Sequence, residues 1–230
     1  MIWILLSPSV AHAATITVTS GSSIQSAIDS ASSGDDIIVN TGTYVECLDL
    51  NGKNLDFTSS GTVTINGSSC SATITASNGE TASFSNMTLS NSSGLVVEAL
   101  SVSSNIQLNA VTIANSGSVS QGVSDIGGVI YTTGVVDVSS STFTNNTGGL
   151  GGVFYMDGGS LTISDSDFTG NSALKGGVIY ATDGTVIVST NNTFDSNFTV
   201  NSGFGGVYDL MYGCSLTDNG STYDLSLIHI

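Results

Sequence analysis

Hydrophobic and polar residues alternate one by one along most of this chain, in short runs that themselves recur. In GGVIYAT, TVIVST and NTFDSN, all within 176–197, the alternation has the period of two that sends successive side chains to opposite faces of a β-strand. Gly, Asn and Asp separate the runs, as turn residues separate strands. One segment differs. Ile24, Ala27, Ile28 and Ala31 keep the i, i+3, i+4, i+7 spacing of a short amphipathic helix, with Ser22 or Ser23 as N-cap and Gly34 as its stop.

The runs repeat at a fixed distance. A Thr-apolar-x-Asn kernel, varied as TINGS, TLSNS, TIANS, TFTNN, DFTGN, TFDSN and TYD, places its apolar member at Ile65, Leu89, Ile113, Phe143, Phe168, Phe194 and Tyr223. The steps are 24, 24, 30, 25, 26 and 29 residues. A second kernel, Gly-Gly-Val-apolar, begins at Gly127, Gly151, Gly176 and Gly205, with steps of 24, 25 and 29. Two independent motifs keeping one period mark a stacked repeat. Three short strands per repeat are too many for a leucine-rich repeat, and a propeller blade needs four strands in about 40 or more residues.

The pattern therefore predicts an all-β fold, a right-handed parallel β-helix of about seven rungs at about 4.8 Å each, closed at its start by the helix. Ile65, Leu89, Ile113, Phe143, Phe168 and Phe194 are expected to point inward as one column. Asn91, Asn115, Asn145, Asn171 and Asn197 are expected at an inner corner, where stacked amides satisfy buried turn groups. The glycine pairs Gly127-Gly128, Gly151-Gly152, Gly176-Gly177 and Gly205-Gly206 supply tight turns. The Thr before each inward residue should face out.

Composition narrows the function. Eighteen carboxylates stand against Lys53 and Lys175, with no Arg and a formal net charge of −16. No basic patch is present to neutralise phosphates, so nucleic acid is excluded as a partner. The opening MIWILLSPSVAHAA has an apolar run and an Ala11-His12-Ala13 site, which reads as a secretory signal over residues 1–13. The cap and first rung then cover 14–45 and the repeats 46–224. No later run approaches the length of a membrane span. Cys47 and Cys70 lie 23 residues apart, near one period, which puts them on adjacent rungs in reach of a disulfide; Cys214 is left over. The final LSLIHI, residues 225–230, breaks the pattern and reads as a non-native tail on a fragment of a longer chain.

The repeats FTNN, FTGN and FDSN, alternating with GGVIY, GGVFY, GGVIY and GGVYD, resemble the F-x-x-N and Gly-Gly-apolar repeats of the polymorphic outer-membrane proteins, surface adhesins of the autotransporter type. IQSAIDSASSGDDIIVNTGTYVE is similar to the N-terminal cap and first rung of pectin-lyase-like β-helix proteins. The resemblance implies a secreted or cell-surface location, at the outer membrane or outside the cell, and an extracellular glycan or host-surface partner. The membrane barrel of an autotransporter is absent from this sequence.

Candidate catalytic groups are confined to the carboxylates. Asp165 and Asp167 are two apart on a predicted strand, hence outward and about 7 Å from each other, a separation that would admit an inverting glycosidase. Ca²⁺ is the one cofactor such a pair could hold. Their counterparts on neighbouring rungs are Ser140, Thr142, Asn191 and Thr193, so an ordinary solvated face is the preferred reading. Asp35 and Asp36 read as loop-solubilising, Asp157 and Asp183 as turn residues, and Lys175 as a solvated turn residue. No metal ligand set is visible. The expected function is an adhesin-like extracellular rod without catalysis. The alternative is a polysaccharide lyase or glycoside hydrolase whose active rungs lie elsewhere. A third reading, ice binding through the outward Thr column at Thr64, Thr88, Thr112, Thr142, Thr193 and Thr222, is weakened by Asp167, which interrupts it.

Overall fold

The computed structural model describes residues 13–118, 128–200 and 205–224. They form a parallel β-helix of about eight turns with one short helix. Sheet A has nine strands, from Thr15–Val18 to Ser215–Asn219; sheet B has eight, from Gly42–Val45 to Thr222–Asp224; sheet C has seven, from Leu48–Asp49 to Tyr208–Leu210. Each of the first seven coils visits A, then B, then C, and the eighth is described over A and B. In coils five to seven a short fourth sheet, D, opens between B and C, formed by Thr147–Leu150, Ser172–Lys175 and Phe198–Thr199. The extra turn beyond the seven kernels is the first coil, Asp36–Val39, Gly42–Val45 and Leu48–Asp49, which carries no Asn after its inward Tyr44.

Pairing is in register from coil to coil, so equivalent positions stack directly. Tyr44, Ile65, Leu89, Ile113, Phe143, Phe168, Phe194 and Tyr223 form one inward column on sheet B. Phe143, Phe168 and Phe194 are fully buried. Their rings stack at 4.8 and 4.9 Å, and Tyr223 continues the stack at 5.0 Å. The rung spacing forces this near-parallel contact, which contributes about 0.5 to 1.5 kcal/mol per pair beyond burial. Phe154, on sheet C, closes the interior with its ring tilted 58° against Phe143. The threonines before the column stack on the outer face, with Asp167 among them.

The corners correct one expectation. Asn91, Asn115 and Asn145 are exposed and adopt φ of 55, 53 and 54°, the left-handed conformation that Asn tolerates best among residues with a side chain. The residue after each turns inward. The buried ladder is thus Ser92, Ser116, Asn146, Asn171 and Asn197. The physical reason is a shift of one residue: the chain reverses at the second position after the inward column, and only the third re-enters the core. Asn171 and Asn197 belong to this third position; Gly170 and Ser196 take the left-handed one before them. Within the ladder the backbone N–H of Ser116 donates to Asn146 Oδ1 at 3.1 Å, that of Asn146 to Asn171 Oδ1 at 3.0 Å, and that of Asn171 to Asn197 Oδ1 at 2.9 Å. The amide nitrogens donate to Ile113, Phe143 and Phe168 carbonyls at 2.9, 2.9 and 2.8 Å. A second ladder of the same design, Ser141, Ser166 and Asn192, lines the corner between sheets A and B.

The glycine pairs divide their work. Gly151, Gly176 and Gly205 have φ of 68, 59 and 67°. Their followers are needed for close approach: a Cβ on Gly128, Gly152 or Gly177 would lie 2.7, 2.0 or 2.2 Å from a carbonyl oxygen of the next coil. Gly206 is buried in the corresponding place. Gly127 lies outside the described residues, as do residues 1–12 of the expected leader and the tail 225–230.

The helix Ile24–Ser30 covers the first coil with Ile24, Ala27 and Ile28. Ser23 caps it by accepting from Ser26 N at 3.1 Å. Glu46, from the first coil, takes the backbone N–H groups of Ile24 and Gln25, both at 3.0 Å, a use of its carboxylate that sequence reading missed. The helix ends at Ala31 rather than Gly34, where the backbone turns extended, and Lys53 satisfies its final carbonyls: Nζ donates to Ile28 O at 2.7 Å and Asp29 O at 2.9 Å. Asp35 is not a loop solubiliser. It is buried and accepts from Ala14 N and Ser32 N, both at 2.8 Å, and these bonds hold its carboxyl below the usual value. Cys47 and Cys70 are bonded across the first two coils with Cα atoms 5.6 Å apart, and Cys214 is a half-buried free thiol.

Candidate functional site

On sheet C, as on sheet B, side chains alternate in and out, and its inward column runs Leu48, Ile74, Val97, Ile130, Phe154, Ile179 and Tyr208. The residue after each must therefore face out. That outward column reads Asp49, Thr75, Glu98, Tyr131, Tyr155, Tyr180 and Asp209, in register throughout. Tyr131 and Tyr155 stack at 4.8 Å with ring planes 14° apart, whereas Tyr180 turns edge-on to Tyr155 at 5.4 Å and 65°. Two positions further along each strand lies a second outward column, in which Asp157 pairs with Thr182. Asp183 follows at the corner with φ 52°, and Tyr212, 72% exposed, occupies the same corner one coil later.

The strip is acidic and aromatic together. Glu98, Tyr131, Tyr155 and Asp157 are half-buried, Asp183 is exposed, and Tyr180 and Asp209 are covered. Partial burial, then the charges of Asp157 and Glu98, raise the Tyr131 phenol. Burial followed by Asp157 pushes Tyr155 up to about 12, and burial followed by Asp209 raises Tyr180. All three phenols thus stay protonated at physiological pH, and Tyr131 and Tyr155 present neutral hydroxyl edges. Tyr180 uses its hydroxyl on Met211 Sδ at 3.1 Å. Asp157 is raised by burial first, and next by its hydrogen bond with Asp183 and the charge of that neighbour. Lys175 stands on the strand Ser172–Lys175, not in a turn, and holds its Nζ 6.0 Å from the centroid of the Tyr180 ring.

Asp165 and Asp167 do not share a strand. Asp165 occupies the left-handed corner, φ 50°, between Ser160–Ser164 and Asp167–Thr169, where Asn191 Nδ2 donates to it at 3.4 Å. The strand spacing expected between the two carboxylates therefore does not apply. Both are exposed, and Asp167 stacks between Thr142 and Thr193. Among the described residues, no three His, Cys, Asp or Glu side chains gather where they could hold a metal ion. No described helix is long and apolar enough to cross a membrane.

Comparison with family models, curated proteins and solved structures finds no match. The kinship that can be stated is one of architecture, the parallel β-helix. Sequence reading missed the tyrosine strip although its signal was present: Tyr131, Tyr155 and Tyr180 recur at the period of the glycine pairs, one residue beyond an inward position.

Proposed function

We propose that this chain is an extracellular, adhesin-like rod that binds a glycan along the outer face of sheet C without turning it over. The observation that carries the reading is the stacked, half-buried pair Tyr131 and Tyr155, continued by the covered Tyr180, with carboxylates on both sides. Phenol edges at rung spacing offer a line of neutral donors and acceptors suited to sugar hydroxyls. A stiff stack of coils displays that line at full length to a surface. The likeness of the F-x-x-N and Gly-Gly-apolar repeats to those of polymorphic outer-membrane proteins supports a surface location. The test is to present the full chain to a panel of immobilised neutral, amino and uronic polysaccharides. Saturable binding without new reducing ends or unsaturated products supports the reading; product release overturns it.

A further inference from the structure

We infer that the ligand of this strip is a linear hexosamine chain with free amines, chitosan-like, lying along the rod axis. This deepens the glycan reading and rests on it. Three observations lead there.

The first is charge. The strip carries Glu98, Asp157 and Asp183 on a chain of net charge −16, so a uronic or sulfated polymer is repelled and an ammonium-bearing one attracted. Asp157 and Asp183, neighbours of like charge on adjacent coils, gain most from a cation placed beside them. The second is the strip's own precedent for ammonium. Lys175 already sets an ammonium group near the Tyr180 ring, at 6.0 Å, and Tyr131 and Tyr155 are aromatic groups of the same kind further along.

The third observation is the placing of the acids around the tyrosines. In the first outward column Asp49 stands on the first coil and Glu98 on the third; Asp157 lies in the second column on the fifth coil, and Asp183 follows at its corner on the sixth. Glu98 thus precedes Tyr131 by one coil, and Asp157 and Asp183 stand beside Tyr155 and Tyr180. A linear hexosamine lying along the axis carries an amine on every sugar and so meets both groups of acids, while Tyr131 and Tyr155 meet its hydroxyls and ring edges.

The experiment is calorimetric titration of the full chain, in mildly acidic low-salt buffer, with three probes: a chitosan hexamer, the neutral cellulose hexamer of the same backbone geometry, and hexalysine. The chitosan hexamer is expected to bind tightest of the three. The double variant Glu98→Gln, Asp157→Asn should weaken it by about tenfold, the combined worth of two surface charge contacts, with an unchanged circular dichroism spectrum. The variant Asp137→Asn, Asp167→Asn, with the same charge change on sheets A and B, should leave it unaltered. Equal binding of the cellulose hexamer, with no effect of the strip variant, would overturn the hexosamine inference and leave the glycan reading standing. Equal binding of hexalysine, or equal loss in both variants, would reduce the attraction to net charge and also overturn it. Binding of none of the glycans, on the panel or here, would overturn both.

Discussion

Asn145 and Asn146 are neighbours of one type, and the fold assigns them opposite consequences on substitution. Asn146 is fully buried; its Oδ1 accepts from Ser116 N at 3.1 Å and its Nδ2 donates to Ile113 O at 2.9 Å. Truncation in Asn146→Ala takes this partner from a buried N–H and a buried C=O, each loss costing about 1 to 3 kcal/mol. Allowing for some relaxation, the expected loss is about 3 kcal/mol, or a fall in Tm of about 6 to 12 °C for a chain of this size. Asn145 is exposed at φ 54°. Asn145→Gly puts there the residue that takes this conformation most freely, so its effect should stay within about 0.5 kcal/mol. Asn146→Ser, which copies Ser116 of the previous coil, keeps one acceptor and should fall between. Urea unfolding followed by far-ultraviolet circular dichroism reads the energies, and hydrogen exchange reads the place. Exchange should quicken at the Ser116 amide, one coil away from the substitution, before it quickens within the mutated coil. Equal destabilisation by Asn145→Gly and Asn146→Ala, or an unchanged Ser116 amide, would refute the ladder.

Other outcomes follow from the same coordinates. Phe168→Ala opens a hole between the Phe143 and Phe194 rings and should cost about 3 to 5 kcal/mol in the same urea assay; an unchanged midpoint would refute the inward column. Replacing Cys47 and Cys70 together by Ser should cost about 3 kcal/mol, since the bridge closes a loop with a separation of 23 residues; a loss near zero would show that it adds nothing to the paired coils. Asp157 has its carboxyl raised above 3.8, so the folded protein holds that proton more tightly than the unfolded chain does. The stability this contributes is complete below the unfolded value and is lost as pH rises through the folded one. Asp157→Asn should therefore be more stable than the parent at neutral pH and lose that advantage on acidification toward 3.8; a difference independent of pH would contradict a carboxyl raised by burial and the neighbouring charge.

The period, the inward column from Ile65 to Phe194, the capping helix and the Cys47–Cys70 pairing were all legible in the sequence. Each is fixed by spacing along one chain and by the alternation of faces. What escaped was finer than the period. Whether Asn145 or Asn146 enters the core depends on which residue of a two-residue corner takes positive φ, and an Asn-Asn pair leaves that undecided. FTGN and FDSN resolve it, since there a single Asn follows Gly170 or Ser196. Lys53 and Glu46 escaped for another reason: each meets a helix end more than twenty residues away in sequence, a contact that only the coil geometry creates. The sheet C strip is masked in the sequence by the stronger glycine signal of GGVIY, although the face of its tyrosine follows from simple alternation.

The direction of the inner ladders has a consequence for how the rod is made. Asn146 satisfies groups of the coil before it, Asn171 those of Asn146's coil, Asn197 those of Asn171's, and Asn192 does the same for Ser166 and Ile163. In these coils the corner is completed by the one that follows. A chain emerging from its N-terminus onward therefore lays down each of them with open amide and carbonyl groups, and arrival of the next closes them. Assembly becomes a sequence of latches fastened from behind, and the most recently added turn is always the least secured.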